Sequence, residues 1–196
     1  INAALGIAGH VHKISASATV DQRSVEVNDV LIAANGMGCV VGEDITAALE
    51  YDNGVHGLHL QHRYEKIDTR AYKVEFSGDE GRIIWRTNEA WFYSEPHYLP
   101  EIGVWEKLDL IMPPGFDACN KVDEADLSYV DDFVCALDIG DAHECSGEEG
   151  VHVLEVLLGI FDSCVTGQSV TLPQQNRIHP LSRWLDQSNA PYPTLT

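Results

Sequence analysis

The chain holds 196 residues, 44% hydrophobic and 22% charged, long enough for one sizeable core and too apolar for disorder to be its default state. A formal charge of -19, from 31 acids against 12 Lys and Arg, repels phosphate backbones and anionic bilayers, so neither nucleic acid nor a membrane is expected as a partner. The acids are scattered, with short clusters such as DEAD at 123–126, as on a solvated surface.

The opening INAALGIAG resembles the end of a buried helix more than a beginning, so the polypeptide is expected to be a fragment of something longer. A strand follows over 10–20 (HVHKISASATV), with Ile14, Ala16 and Ala18 pointing one way. The run VLIAANGMGCVVG at 30–42 leads into glycines 36, 38 and 42. A dinucleotide fingerprint needs its glycines where backbone amides meet a pyrophosphate at a helix start. Here the third spacing is wrong and the next segment alternates, so a structural glycine loop is expected.

Residues 44–51 alternate with Ile45, Ala47, Leu49 and Tyr51 on one side, Asp52-Asn53-Gly54 makes a tight turn, and 55–62 returns as a second strand. This hairpin carries histidines 56, 59 and 62. On a helix the three imidazoles would converge and hold zinc. On a strand His56 and His62 point to one side and His59 to the other, and six residues at about 3.3 Å each separate the first pair by roughly 20 Å. The strand signals prevail, and no metal site is expected.

His62, Arg63, Lys66 and Arg70 gather positive charge at the end of that strand and the loop beyond, where fork-like donors suit an anionic or polyhydroxylated ligand. The plainer reading is that they neutralise Glu65, Asp68 and Glu75. Further strands are expected at 71–77, 82–86 and 89–93, the first two joined by Gly78-Asp79-Glu80-Gly81. Tyr72, Val74 and Phe76 join the core-facing set, while Ser15, Ser17, Thr19, Thr46, Ala48, Glu50, His59, Gln61, Lys73 and Glu75 form the opposite face, small and polar, which meets water or a second copy of the sheet.

From residue 123 the period becomes helical, with Leu127, Val130, Phe133, Val134 and Leu137 on one side and a stop near Gly140. A second helix begins at the capping box Ser146-Gly147-Glu148-Glu149, carries Val151, Leu154, Leu158, Phe161 and Val165, and ends at Gly167. Pro173, Pro180, Pro191 and Pro193 give residues 173–196 the look of an extended tail. Five cysteines (39, 119, 135, 145, 164) form no C-x-x-C pair, and Cys135 and Cys164 fall in the helices as small apolar side chains. With no run of about 18 apolar residues and no export leader, the cytoplasm is the expected location. The fold class is α+β: a mostly antiparallel open β-sheet over about 10–110, helices over about 123–166 packed on one face, and the other face available for oligomerisation.

The segment SGEEGVHVLEVLLGIFDSCVTGQSVTLP, followed by RIHPLSRWL at 177–185, resembles the C-terminal end of Gfo/Idh/MocA-type oxidoreductases. Ser163, Thr166, Gly167, Val170, Leu172 and Pro173 carry the match, and ANGMGCVVGEDITAALEYDNGVHG and VEFSGDEGRIIW, with Glu75, Gly78, Glu80 and Gly81, resemble the sheet of the same domain. The resemblance implies an N-terminal Rossmann domain of the same polypeptide holding NAD or NADP, a C-terminal sheet closing over a sugar, cyclitol or related substrate, and homo-oligomers through the open sheet face. It also implies that the fingerprint glycines, the Lys-Pro and the Asp/His catalytic pair would lie before Ile1. No catalytic or cofactor-binding residue is therefore carried over. The expected role is the substrate-binding and oligomerisation domain of an NAD(P)-dependent oxidoreductase, inactive by itself, with His62, Arg63 and Arg70 on the substrate side. The alternatives are a free-standing, non-catalytic binding or assembly module with the same sheet, and a metal-dependent enzyme.

Overall fold

A computed structural model describes residues 1–33, 36, 38–63, 72–86, 89–97, 104–109 and 124–194. The chain divides into two compact units, Ile1–Tyr64 with Glu144–Thr196, and Glu65–His143.

The first unit is built on β1 (Val11–Val20), β5 (Asp44–Tyr51) and β6 (His56–His62), which pair antiparallel in that order, with β11 (Val170–Thr171) and β2 (Arg23–Ser24) each covering a short part of the other edge of β1. Alternation does what the sequence predicts. Ile14, Ala18, Ile45, Ala47, Leu49 and Tyr51 are buried on one face, together with Leu5 and Ala8 of α1 (Asn2–Ala8) and Val156 and Ile160 of α3 (Gly147–Thr166). The β5–β6 turn bonds Tyr51 N–H to the Val55 carbonyl at 2.9 Å, and Asn53 Nδ2 donates to the Ala8 carbonyl at 2.8 Å, so the same turn caps the end of α1.

Helix α3 lies against β1, and three features let it come close. A Cβ on Gly159 would stand 2.8 Å from Ile14 Cδ1, so a hydrogen there is what admits the helix backbone. Between the short strands β11 and β2 the Ala16 amide has no strand partner, and Ser163 Oγ accepts it at 2.8 Å while donating to the Gln168 carbonyl at 2.8 Å. At the start of β1 the Val11 amide donates to His152 Nε2 at 3.1 Å. Burial pushes the Cys164 thiol up to about 11, so it stays protonated and packs as an apolar side chain.

Helix α3 starts and stops as expected. Ser146 Oγ accepts the Glu149 amide at 3.3 Å, and Gly167 closes the helix at φ 66°. The Glu149 carboxylate does not complete the capping box; it turns to His10 instead.

The glycine loop is a hairpin tip. Strands β3 (Leu31–Ile32) and β4 (Cys39–Val40) pair antiparallel, and Gly36 and Gly38 take φ of 73° and 79°, a region open to glycine at no steric cost. The expected extended tail is corrected at residues 180–187, which form α4 (Pro180–Gln187). Its Leu181 and Leu185 are buried with Val30 and Val41 in a second small core. The Arg183–Asp162 and Arg177–Glu155 ion pairs and a bond from Gln174 to Asp162 tie this segment to α3.

In the second unit β7 (Val74–Gly78), β8 (Gly81–Arg86), β9 (Glu89–Tyr93) and β10 (Glu106–Leu108) form an antiparallel sheet in the order β10-β9-β8-β7. Tyr72, expected in the core, is exposed. Helix α2 (Glu124–Ile139) ends at Gly140 as predicted, yet Val130, Phe133, Val134 and Leu137 on its apolar side are exposed.

Replacing Ser163 with Ala leaves the Ala16 amide and the Gln168 carbonyl without their partner, which should cost about 2 kcal/mol. Urea unfolding of the variant against the parent measures this, and a loss below about 0.5 kcal/mol would contradict the bridging role.

Candidate functional site

Register decides where each histidine of the hairpin points. Ala47 pairs with His59 and Ile45 with Gln61, so these two side chains share the helix-covered face. Asp44 pairs with His62 and Glu50 with His56, which puts both of these on the open face with Thr46 and Ala48. The separation of His59 from His56 and His62 is therefore as expected, but His59 and Gln61 lie on the opposite face from the one the alternation assigned. Among the described residues no three ligand-type side chains are placed to hold a metal ion.

At the cationic end of β6 the described partners come from β5 and the residue before it, while Glu65 and Asp68, offered as neutralising neighbours, lie outside the described residues. His62 Nδ1 stands 2.8 Å from Asp44 Oδ1, directly across the ladder, and Arg63 Nη1 lies 3.8 Å from Glu43 Oε1 while its amide donates to the Glu43 carbonyl at 2.9 Å. Glu75, offered as a neutralising neighbour, is held by Arg82 and Lys73. Arg63 keeps 69% of its side-chain surface exposed, leaving most of its donors open to a ligand. Lys66 and Arg70 lie outside the described residues.

A second group of ionisable side chains, which local patterns did not reveal, lies at the other end of the sheet. His10 Nε2 reaches Glu149 Oε1 and Oε2 at 2.9 and 3.1 Å, and its ring packs on His152 with centroids 4.4 Å apart. His12 lies 3.6 Å from Asp52 and 3.9 Å from Glu50, and Glu50 takes a 2.8 Å bond from Lys13. The alternation HVH at 10–12 is a sequence signal for these imidazoles, but nothing local places them beside residues 149 and 152. Burial holds His152, His59 and His179 below the ordinary histidine pKa.

A model of the C-terminal alpha/beta domain of an oxidoreductase family, Gfo/Idh/MocA, matches residues 15–172. The chain belongs to that family. Among solved structures it is similar to an NAD-binding oxidoreductase from Klebsiella pneumoniae, at 19% identity and a TM-score of 0.63 over 89% of this chain and 48% of that one. It is equally similar to a levoglucosan dehydrogenase in complex with NADH and levoglucosan, at 16% identity and a TM-score of 0.63 over 89% and 48%. An oxidoreductase from Agrobacterium radiobacter in complex with NAD+, L-tartaric acid and magnesium matches at 14% identity and a TM-score of 0.55 over 86% and 45%. The chain spans about half the length of these relatives. No curated protein matches it significantly.

The glycine loop does not lie between a strand and a helix. A pyrophosphate is held where a strand turns into a helix, and the glycine loop instead turns β3 back into β4.

Two outcomes follow from this geometry. Arg63→Ala removes an exposed ion pair and should change stability by less than about 0.5 kcal/mol, which thermal melts can check. For His59, His152 and His179 the folded pKa is depressed, so the native state binds fewer protons and the stability they contribute is present above about 6.5. That stability is lost as pH falls through their lower folded values. Urea midpoints should therefore decline from pH 7.5 to 5, and a midpoint that rises over this range would contradict the assignment.

Proposed function

We propose that this chain is the substrate-binding and oligomerisation domain of an NAD(P)-dependent oxidoreductase that moves hydride between the nicotinamide and a sugar, cyclitol or related polyhydroxylated substrate. The observation that carries the reading is the family match over residues 15–172 in a chain that spans about half of relatives described with NAD or NADH. Hydride transfer needs a cofactor ring, a substrate carbon near contact distance and a group that handles the hydroxyl proton. The cofactor-binding half of the polypeptide supplies the first, and the chain alone is inactive.

In this reading His62 and Arg63 stand on the substrate side, and Arg70, the third residue expected there, lies outside the described residues. Arg63 offers a planar fork to adjacent hydroxyl or carboxylate oxygens, and Asp44 orients the His62 ring. The open face of the first sheet supports self-association. Ser15, Ser17, Thr46 and Ala48 allow close approach, and on β6 Leu58 and Leu60 are 64% and 55% exposed. His62 stands at the margin of that face, so assembly and substrate binding meet at one end of the sheet. A cytoplasmic site of action agrees with the free thiols of Cys39, Cys135 and Cys164. Among the described residues no helix is long and apolar enough to cross a membrane.

The test is to titrate this chain with NADH and, separately, with a panel of sugars and cyclitols. Tryptophan emission should not respond to NADH at micromolar levels, while ligand-observed NMR should detect a polyol whose affinity falls about tenfold, near 1.4 kcal/mol, in Arg63→Ala. Micromolar NADH binding by this chain, or equal polyol binding by the variant, would overturn the assignment.

A further inference from the structure

The α1–β1 junction is held to α3 by a bond with an unusual requirement. Val11 pairs with Tyr51 and Lys13 with Glu50, so His12 is an extra residue, a β-bulge at the first position of the sheet. The Val11 amide points to α3, where His152 Nε2 accepts it at 3.1 Å. An imidazole nitrogen accepts only when it carries no proton, so His152 must be neutral with its hydrogen on Nδ1.

Among the described residues, the charged groups that act on this ring are His10, Glu149, Glu155 and Asp52. His10 packs on it at 4.4 Å. Glu149, one turn back on α3, is engaged by His10 through both carboxylate oxygens. Glu155 is buried and paired with Arg177. Asp52, from the β5–β6 turn, lies beside His12, and its amide donates to the His10 carbonyl at 2.9 Å. Burial first, and then the neighbouring His10, lower the His152 pKa, while Glu149, Glu155 and Asp52 oppose them.

We propose that His152 is a proton-operated latch on the α1–β1 junction: neutral, it holds the Val11 amide to α3, and on protonation it lets go while the rest of the sheet stays paired. A proton on Nε2 points at the Val11 N–H, so the attraction becomes repulsion. Farther along β1 the bond from Ser163 to the Ala16 amide has no group that titrates near neutrality, and His10 still engages Glu149 of α3, so release is confined to the Val11 amide. Gly9, at φ 93°, supplies the backbone freedom at the junction itself.

Amide hydrogen exchange of the full chain from pH 7.5 to 5, corrected for the intrinsic pH dependence of exchange, tests this. Once pH lies below the His152 pKa the neutral fraction falls about tenfold per unit, and Val11 protection should fall with it while Ile14 and Ala16 keep theirs. In His152→Gln, whose side-chain oxygen accepts without titrating, Val11 protection should be flat across the range. Loss of Val11, Ile14 and Ala16 in step, an unchanged Val11, or a Gln variant that keeps the pH dependence overturns the latch. Nitrogen shifts of His152 in the wild-type chain at pH 7.5 decide it without any variant: a proton on Nδ1 supports the latch, and a proton on Nε2 rules it out.

Discussion

The structure depends on the attachment of α3 to β1 by side chains that stand in for a missing strand. His152 and Ser163 lie eleven positions apart on α3, a rise of about 16 Å at 1.5 Å per residue, and their targets Val11 and Ala16 lie five positions apart on β1, about 16 Å at 3.3 Å per residue. The two lengths agree, so the helix runs along the first half of the strand and meets it at its start and its middle. Gly159 sits between the two bonds, over Ile14. Polar bonds fix the register and the apolar contact fills the space between them.

The second arrangement is the use of scarce positive charge. With 12 Lys and Arg against 31 acids, the chain spends Arg177 and Arg183 on Glu155 and Asp162 of α3. A buried carboxylate without such a partner is costly, and pairing it also anchors the segment that ends in α4. Leu181 and Leu185 are thereby set into the core made by Val30 and Val41 beneath the glycine loop. Arg63 is different in kind: it holds its carboxylate loosely and stays exposed, which suits a group that meets a ligand.

Strand positions were legible because burial on one face imposes a period of two, and Ile14, Ala47 and Leu49 satisfy it. The phase of β6 was not. A shift of one residue exchanges the faces of a strand, and the loop that sets this shift, residues 52–55, is fixed by bonds to Asn53 and Val55 rather than by composition. His59 and Gln61 were misassigned for that reason. Helix α4 was readable in part: Pro180 occupies a helix start, where no amide hydrogen is needed, and Leu181, Trp184 and Leu185 have helical spacing. Four prolines in 24 residues masked it. The cation group was visible as charge, but Asp44 and Glu43, which meet His62 and Arg63, come from a neighbouring strand and its approach, and contacts across a ladder follow from register. The His10–His152 contact joins residues far apart in the chain, and only the packing of α3 on β1 reveals it.

The most direct test of the attachment is the exchange rate of the Ala16 amide in the unmodified chain at neutral pH. Bonded to Ser163, it should be protected within about tenfold of the ladder amides beside it, although neither β11 nor β2 reaches it. Exchange at the rate of an open loop would mean that α3 does not complete the edge of β1.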